Sequence, residues 1–326
     1  MSVLAVTGLK TYAFARSGTV KAVDGVSFRV EPGEMLGIVG ESGSGKTVTG
    51  LSIMGLLDPA MRIVEGSILF DGEELVGAGE EKLRSYRGRR IAMIFQDPMM
   101  TLNPVLRIDT QMIEAITAHE KVSQRAARDR AAKGLAAVGI ASPEERLLAY
   151  PHQFSGGMRQ RVAIAIALLH SPKLLIADEP TTALDVTIQS QILAEVQELC
   201  AQHGTAIIWI THDLTVVAGL ADRVAVMYAG RVVEEGAVDA VLRHPLHPYT
   251  HGLIGSVPSR NKRVVPLAQI PGMPPSPVHR PPGCSFAPRC PRADAICGTE
   301  PDLMPIAGAG AARCWHPHVE TLLVPA

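Results

Sequence analysis

Residues 40–47 read Gly40-Glu41-Ser42-Gly43-Ser44-Gly45-Lys46-Thr47, a glycine-rich loop between two apolar segments. Met35 to Val39, just before it, is an unbroken apolar run of the kind found in buried strands, and Val48 to Leu57, just after it, reads as a helix. Glycines at this junction let the backbone curl until successive N–H groups converge on one anion. The helix behind adds the positive end of its dipole. The pattern and its strand–loop–helix setting fit a phosphate-binding loop. In that geometry Lys46 reaches the β- and γ-phosphates of a nucleotide, and the Thr47 hydroxyl binds Mg²⁺.

The remaining composition narrows the classes. A chain of 326 residues suits one large domain with an appendage. Its net charge of -1 provides no long-range field for nucleic acid or an acidic membrane, and aromatics at 4% leave few base-stacking platforms. No nucleic-acid partner is expected. The start, Met1-Ser2-Val3-Leu4-Ala5, lacks the basic head of an export signal. Apolar runs such as Val162 to Leu169 fall far short of the roughly 20 residues that span a bilayer. The reading is a soluble chain in the cytoplasm whose membrane role, if any, comes through partners.

Apolar runs alternating with helical patterns predict an α/β layered core. Lys173 to Asp178 and Ala206 to Ile210 read as central strands, and Val224 to Tyr228 with Arg231 to Glu235 as a hairpin turning at Ala229-Gly230. Between about Asp97 and Phe154 the texture becomes helical and mixed in charge, as in an inserted helical subdomain. From about Pro258 the chain is proline-rich and reads as irregular, needing something other than a large apolar core to order it.

Leu174 to Glu179 is a strand ending in two carboxylates. Downstream of a phosphate loop, Asp178 is placed to hold Mg²⁺ through its water shell, and Glu179 to activate the attacking water as general base. Phe154-Ser155-Gly156-Gly157-Met158 precedes a helical run, Arg161 to His170. Ser-Gly-Gly before a helix is either a second anion site or an ordinary N-cap on Ser155.

These residues resemble the signature motif of ATP-binding-cassette (ABC) ATPases, whose usual form is Leu-Ser-Gly-Gly-Gln; Phe154 and Met158 depart from it at the ends. The resemblance covers roughly residues 1 to 255, with motifs in the family's order. Gln96 matches the Q-loop glutamine, which in the family touches Mg²⁺ and the attacking water. Asp185, in Ala183-Leu184-Asp185, matches the D-loop, and His212 the switch histidine that contacts the γ-phosphate. Taken alone, His212 reads as a structural histidine. An aromatic that stacks on adenine is expected near the start, where Tyr12 and Phe14 share a face of one strand; Tyr12 is preferred. The resemblance implies an ABC-type P-loop core with an N-terminal antiparallel β subdomain. It also implies ATP sandwiched between Gly40 to Thr47 of one subunit and Ser155, Gly156 and Gly157 of another.

Three segments point to one branch of that family. Phe95 to Pro104 resembles the Q-loop extension of bacterial peptide importers. His244-Pro245-Leu246-His247-Pro248-Tyr249-Thr250 resembles the C-terminal signature of oligopeptide, dipeptide and nickel importer ATPases; its histidines alone read as polar loop residues rather than metal ligands. Cys284-x₅-Cys290-x₆-Cys297-x₁₆-Cys314 resembles the cysteine tail of their D-type subunit. There, four thiolates hold a [4Fe-4S] cluster. The spacing lacks the paired Cys-x₂-Cys of common zinc modules, so zinc is the alternative ligand. Cys200 stands apart in a helical pattern and reads as a packed thiol.

The resemblance thus implies an ABC ATP-binding domain over 1–255, a helical subdomain over about 97–160, and a C-terminal extension over 256–326. It implies a motor on the cytoplasmic face of the inner membrane. Its partners would be a second, related but different ATPase subunit, two permease subunits and, indirectly, an external substrate-binding protein. Peptides are the expected cargo, with nickel, glutathione or another small solute as alternatives. A non-transport ABC protein of DNA repair or translation is disfavoured, because the stretch from Lys46 to Ser155 leaves no room for a long coiled coil and the chain has one cassette.

Overall fold

The computed structural model describes residues 2–16, 18–181, 186–257 and 269–319. Along the chain run β1 (Leu4–Ala15), β2 (Gly18–Val30), β3 (Met35–Val39), α1 (Lys46–Met54), β4 (Met61–Phe70), β5 (Glu73–Glu74) and α2 (Glu80–Tyr86). Then come β6 (Ile91–Ile94), α3 (Ile108–Thr117), α4 (Gln124–Ala137), α5 (Pro143–Leu147), α6 (Gly156–Leu168), β7 (Leu174–Asp178) and α7 (Val186–His203). The last are β8 (Ala206–Thr211), α8 (Leu214–Leu220), β9 (Arg223–Tyr228), β10 (Arg231–Ala237), α9 (Val238–Arg243), α10 (Pro248–Gly255), β11 (Met304–Ile306) and β12 (Gly310–Ala312).

The chain forms two compact units. The first comprises Met1–Leu4, Val30–Glu34 and Phe70–Ile210, the second Ala5–Arg29, Met35–Leu69 and Thr211–Ala326. This division by contact differs from the division by texture, since the tail sorts with the strand and loop around Gly40.

In the first unit β6, β7 and β8 are parallel, with Ile94 opposite Ala177 and Asp178 opposite Ile210. Every residue of these strands is buried, which is why their sequences are nearly continuous apolar runs without alternation. The predicted helical insertion is present as α3, α4 and α5. Ser123 caps α4 by accepting from the Ala126 N–H at 3.2 Å, and Ala127, Ala131 and Leu135 bury one stripe at helical spacing. Small residues on that stripe let neighbours approach closely: a Cβ on Gly134 would lie 3.3 Å from Leu169 Cδ2.

In the second unit β3 pairs in parallel with β9, and β9 pairs antiparallel with β10. Ala229 (φ 46) and Gly230 (φ 80) make the predicted hairpin turn, both residues taking the positive φ that matches strand twist. A separate sheet carries β2, β1 and β4 in that order. The buried residues of β1 run Leu4, Val6, Leu9 and Thr11, so the alternation skips one position where Gly8 takes φ 57.

Three local expectations are corrected. The helix after the loop stops at Met54 rather than Leu57, because Gly55 (φ 62) turns left-handed and Leu56 N–H bonds back to Leu51 O at 2.9 Å. The signature helix begins at Gly156 rather than Arg161. The tail is less irregular than its prolines suggest: β12 pairs antiparallel with β10, Glu234 opposite Ala312, and β11 pairs with β12. Its Phe286 is buried with Val39, Val226, Tyr228 and Tyr249, and Cys284 and Cys290 pack on that cluster.

Candidate functional site

The glycine loop is shaped by what stands behind it. A Cβ on Gly40 would sit 2.1 Å from Met227 O, and one on Gly45 would sit 2.3 Å from Ala22 O. Gly45 also takes φ 100 as the N-cap of α1, a conformation that L side chains avoid. The loop therefore presses its backbone against β9 and β2, and the first-turn N–H groups of α1 have no intrahelical acceptor. Lys46 is buried and donates from Nζ to Gly40 O at 2.8 Å and Glu41 O at 3.1 Å. Ser44 Oγ is buried and has no hydrogen-bond partner among the described residues. Ser42, Gly43 and Thr47 are exposed. An inward-curled lysine, an orphaned buried hydroxyl and a cradle that any Cβ would fill together fit a phosphate chain.

In the first unit, β7 delivers the two carboxylates. Asp178 is buried at the strand end, and Glu179 follows in a left-handed conformation (φ 45) with its N–H held by Ile210 O at 2.9 Å. A non-glycine residue in that region is strained and persists only where its surroundings over-determine it. Gln96 Nε2 donates to Glu179 Oε2 at 3.4 Å, so the structure brings these two predicted residues together.

Ser155 caps α6 by accepting from Met158 N–H at 3.3 Å. The N-cap reading of Ser155 therefore holds, and the cap leaves Ser155 and Gly156 exposed at a helix N-terminus. Phe154 is buried, so its departure from the usual leucine replaces one core side chain by another. His212 is exposed in the turn between β8 and α8. Asp185 lies outside the described residues.

Tyr12 is held by partners that sequence reasoning missed. Its hydroxyl donates to Asp24 Oδ1 at 2.7 Å, and Asp24 Oδ2 accepts from Arg231 at 2.8 Å and Arg280 at 3.1 Å. Burial and the Asp24 carboxylate push the Tyr12 hydroxyl up to about 12. Burial alone would raise Asp24, but the Tyr12 hydroxyl and both guanidiniums outweigh it and hold the carboxylate below its usual range. Phe14, the other candidate, is exposed beneath the Arg62 guanidinium, 4.2 Å from its ring centroid. Nothing local in the sequence announces Arg280, which lies 256 residues from Asp24.

The four tail cysteines form no disulfide, Cys297 being buried and the others half-buried. Arg292 N–H donates to Cys290 Sγ at 3.4 Å, and His316 N–H to Cys314 Sγ at 3.3 Å. Backbone N–H groups of Phe286 and Ala287 face Cys284. Burial, opposed by the His316 N–H and reinforced by the other three cysteines, pushes Cys314 up to about 11. Backbone donors aimed at clustered sulfurs, in a place where bare thiolates are costly, suit a thiolate-bound metal centre. Asp294 and His316 stand beside Cys297, their ligand atoms all within 4.8 Å of one another. Cys200, by contrast, is buried in α7, which pushes its thiol up to about 12.

The histidine segment is structural. His247 is buried as the N-cap of α10, its Nδ1 accepting from Tyr249 N–H at 3.0 Å. The fully buried Glu234 carboxylate accepts from the N–H groups of Leu246 and His247 at 2.7 and 2.8 Å.

Residues 23–182 match the family model described as ABC transporter, and residues 233–297 the one described as oligopeptide/dipeptide transporter, C-terminal region. The oligopeptide transport ATP-binding protein AppD of Bacillus subtilis is 48% identical over 96% of this chain and 96% of its own length. The dipeptide transport ATP-binding protein DppD of Bacillus subtilis is 51% identical over 90% and 88%. The oligopeptide transport ATP-binding protein OppD of Salmonella typhimurium is 47% identical over 98% and 95%. Among solved structures, a dimeric bacterial ABC transporter cassette superposes with a TM-score of 0.65 at 28% identity, covering 72% of this chain and 98% of that one. The dimeric post-hydrolysis state of an ATP-binding cassette bound to ADP and Pi gives the same values.

Proposed function

The chain belongs to the ATP-binding subunits of oligopeptide and dipeptide ABC transporters, and from that premise we propose how its residues share the work of an ATP-driven importer. It has the ABC cassette fold, with its antiparallel β subdomain and helical insertion, and it is an ATPase that energises peptide import. The observation that carries the residue assignments is the phosphate loop, with Lys46 curled beneath Gly40 and the Ser44 hydroxyl unpartnered among the described residues.

Gly40, Glu41, Ser42, Gly43, Ser44, Gly45, Lys46 and Thr47 wrap the phosphates of ATP, and Tyr12 stacks on adenine. Thr47, Gln96 and Asp178 hold Mg²⁺, which supplies charge neutralisation at the transferring phosphoryl group. Glu179 takes the proton of the attacking water, with Gln96 orienting both, and His212 contacts the γ-phosphate. Ser155, Gly156, Gly157 and Asp185 face the nucleotide of a second ATPase subunit, a related but different chain. ATP then holds two subunits together, and loss of the γ-phosphate releases them.

In this reading residues 1–255 form the ATP-binding domain and 256–326 the extension. Two permease subunits dock near Gln96, where Met100 and Val105 are each 74% exposed, and an external binding protein delivers peptide to them. Among the described residues no helix is long and apolar enough to cross a membrane. Attachment to the cytoplasmic face of the inner membrane is through the permeases. Co-purification with two integral permeases from detergent-solubilised membranes, and peptide uptake that disappears when this subunit is deleted, test the assignment. Uptake unaffected by the deletion overturns it.

Cys284, Cys290, Cys297 and Cys314 hold a [4Fe-4S] cluster that staples the tail. The N–H donors at Cys284, Cys290 and Cys314 support this reading. Zinc is the second reading, favoured by Asp294 and His316 beside Cys297. Iron and sulfide analysis after anaerobic purification separates them: a colourless protein with stoichiometric zinc overturns the cluster.

A further inference from the structure

We propose that Arg289, in the cysteine tail, is a positioning residue for the phosphate loop, neutralising and fixing Glu41 so that the loop accepts ATP. The inference rests on the reading of Gly40 to Thr47 as the ATP site. Arg289 closes the short 3₁₀ turn Ala287–Arg289, immediately before Cys290. Its side chain is 5% exposed and reaches 248 residues back along the chain. One terminal nitrogen donates to Glu41 Oε2 at 2.9 Å, the other to Oε1 at 3.2 Å, and Nε donates to Pro271 O at 2.9 Å. This is the two-pronged fork that arginine makes and lysine does not.

Glu41 is held at its other polar groups as well. Its N–H donates to the Tyr249 hydroxyl at 2.9 Å, and its carbonyl accepts from Lys46 Nζ at 3.1 Å. Tyr228 and Tyr249 in turn pack on Phe286, three residues before Arg289. An unpaired carboxylate at the second position of a phosphate loop would repel a triphosphate and leave the loop free to rearrange. Arg289 removes that charge from the field, and its burial keeps the pair from being screened away. On the adenine side, Arg280 of the same tail grips Asp24, to which Tyr12 is bonded. The extension thus reaches the nucleotide site from two directions.

The test uses the full-length chain, with mant-ATP titration for affinity and steady-state ATP hydrolysis for KM and kcat. Arg289→Gln should weaken mant-ATP binding and raise KM about three- to tenfold, with kcat at saturating ATP within about twofold. Adding Glu41→Gln to that variant should restore most of the affinity, because the uncompensated charge is then gone. Arg289→Lys should still raise KM at least about twofold, since one nitrogen replaces a fork. That milder variant carries the test should Arg289→Gln fail to fold. Unchanged KM in either variant, or a loss that Glu41→Gln does not rescue, overturns the proposal. A parent chain that binds no mant-ATP would instead sink the phosphate-loop reading.

Discussion

Gln96 Nε2 lies 3.4 Å from Glu179 Oε2 because β6 and β7 run parallel with Ile94 opposite Ala177, and both residues stand two positions beyond that pair. The sheet register therefore sets the meeting of Gln96, proposed above as a metal-and-water ligand, with Glu179, proposed as the general base. Glu179→Gln keeps the size and the hydrogen bond but removes the base. Hydrolysis should fall by at least about 100-fold while ATP still binds, measured as phosphate release beside mant-ATP titration. Unchanged turnover refutes the base assignment.

The loop's glycines make a steric prediction. Gly45→Ala forces a Cβ to 2.3 Å from Ala22 O at φ 100, and Gly40→Ala forces one to 2.1 Å from Met227 O. Both obstacles are backbone and cannot rotate away. Each variant should lose ATP binding with little change in far-ultraviolet circular dichroism, whereas Gly43→Ala, with open space at its Cβ, meets only the strain of φ 78 and should lose less.

Phe286 anchors the tail. It is buried, with ring centroids of Tyr228 and Tyr249 at 5.3 and 5.5 Å. Phe286→Ala should cost the docked tail about 3–5 kcal/mol. Limited proteolysis should then cut between about residues 269 and 319 in the variant under conditions that leave the parent intact.

Acid sensitivity should centre on His247. Burial, then the charge of His318, lowers its pKa from 6.5 to about 3. Between those values the unfolded chain binds a proton that the folded chain does not, so stability falls as pH drops through that window. Above about 6.5 both states are neutral there and the residue adds no pH dependence. His247→Asn retains an N-cap acceptor without titrating. Urea midpoints at pH 7 and pH 5 should differ less in the variant than in the parent.

The sequence alone determined a great deal here. The loop at Gly40 to Thr47, the strand ends at Asp178 and Glu179 and the helix start at Ser155 are legible because each is a local pattern, in which the residues that make the geometry are neighbours in the chain. The central strands are legible for a related reason: double-sided burial demands unbroken apolar runs such as Leu174 to Ala177. The histidine segment shows the limit. His247 reads as a polar loop residue in one dimension and is a buried cap in three, because its acceptor role depends on Tyr249 N–H and its burial on Phe286. What only the tertiary structure decided are the long-range polar pairs. Arg280 with Asp24 and Arg289 with Glu41 join residues some 250 positions apart, and a charged side chain in a proline-rich segment carries no sign of the partner it will meet. Ion pairs of this kind arise from where the folded backbone delivers each charge, so no spacing rule along the chain encodes them.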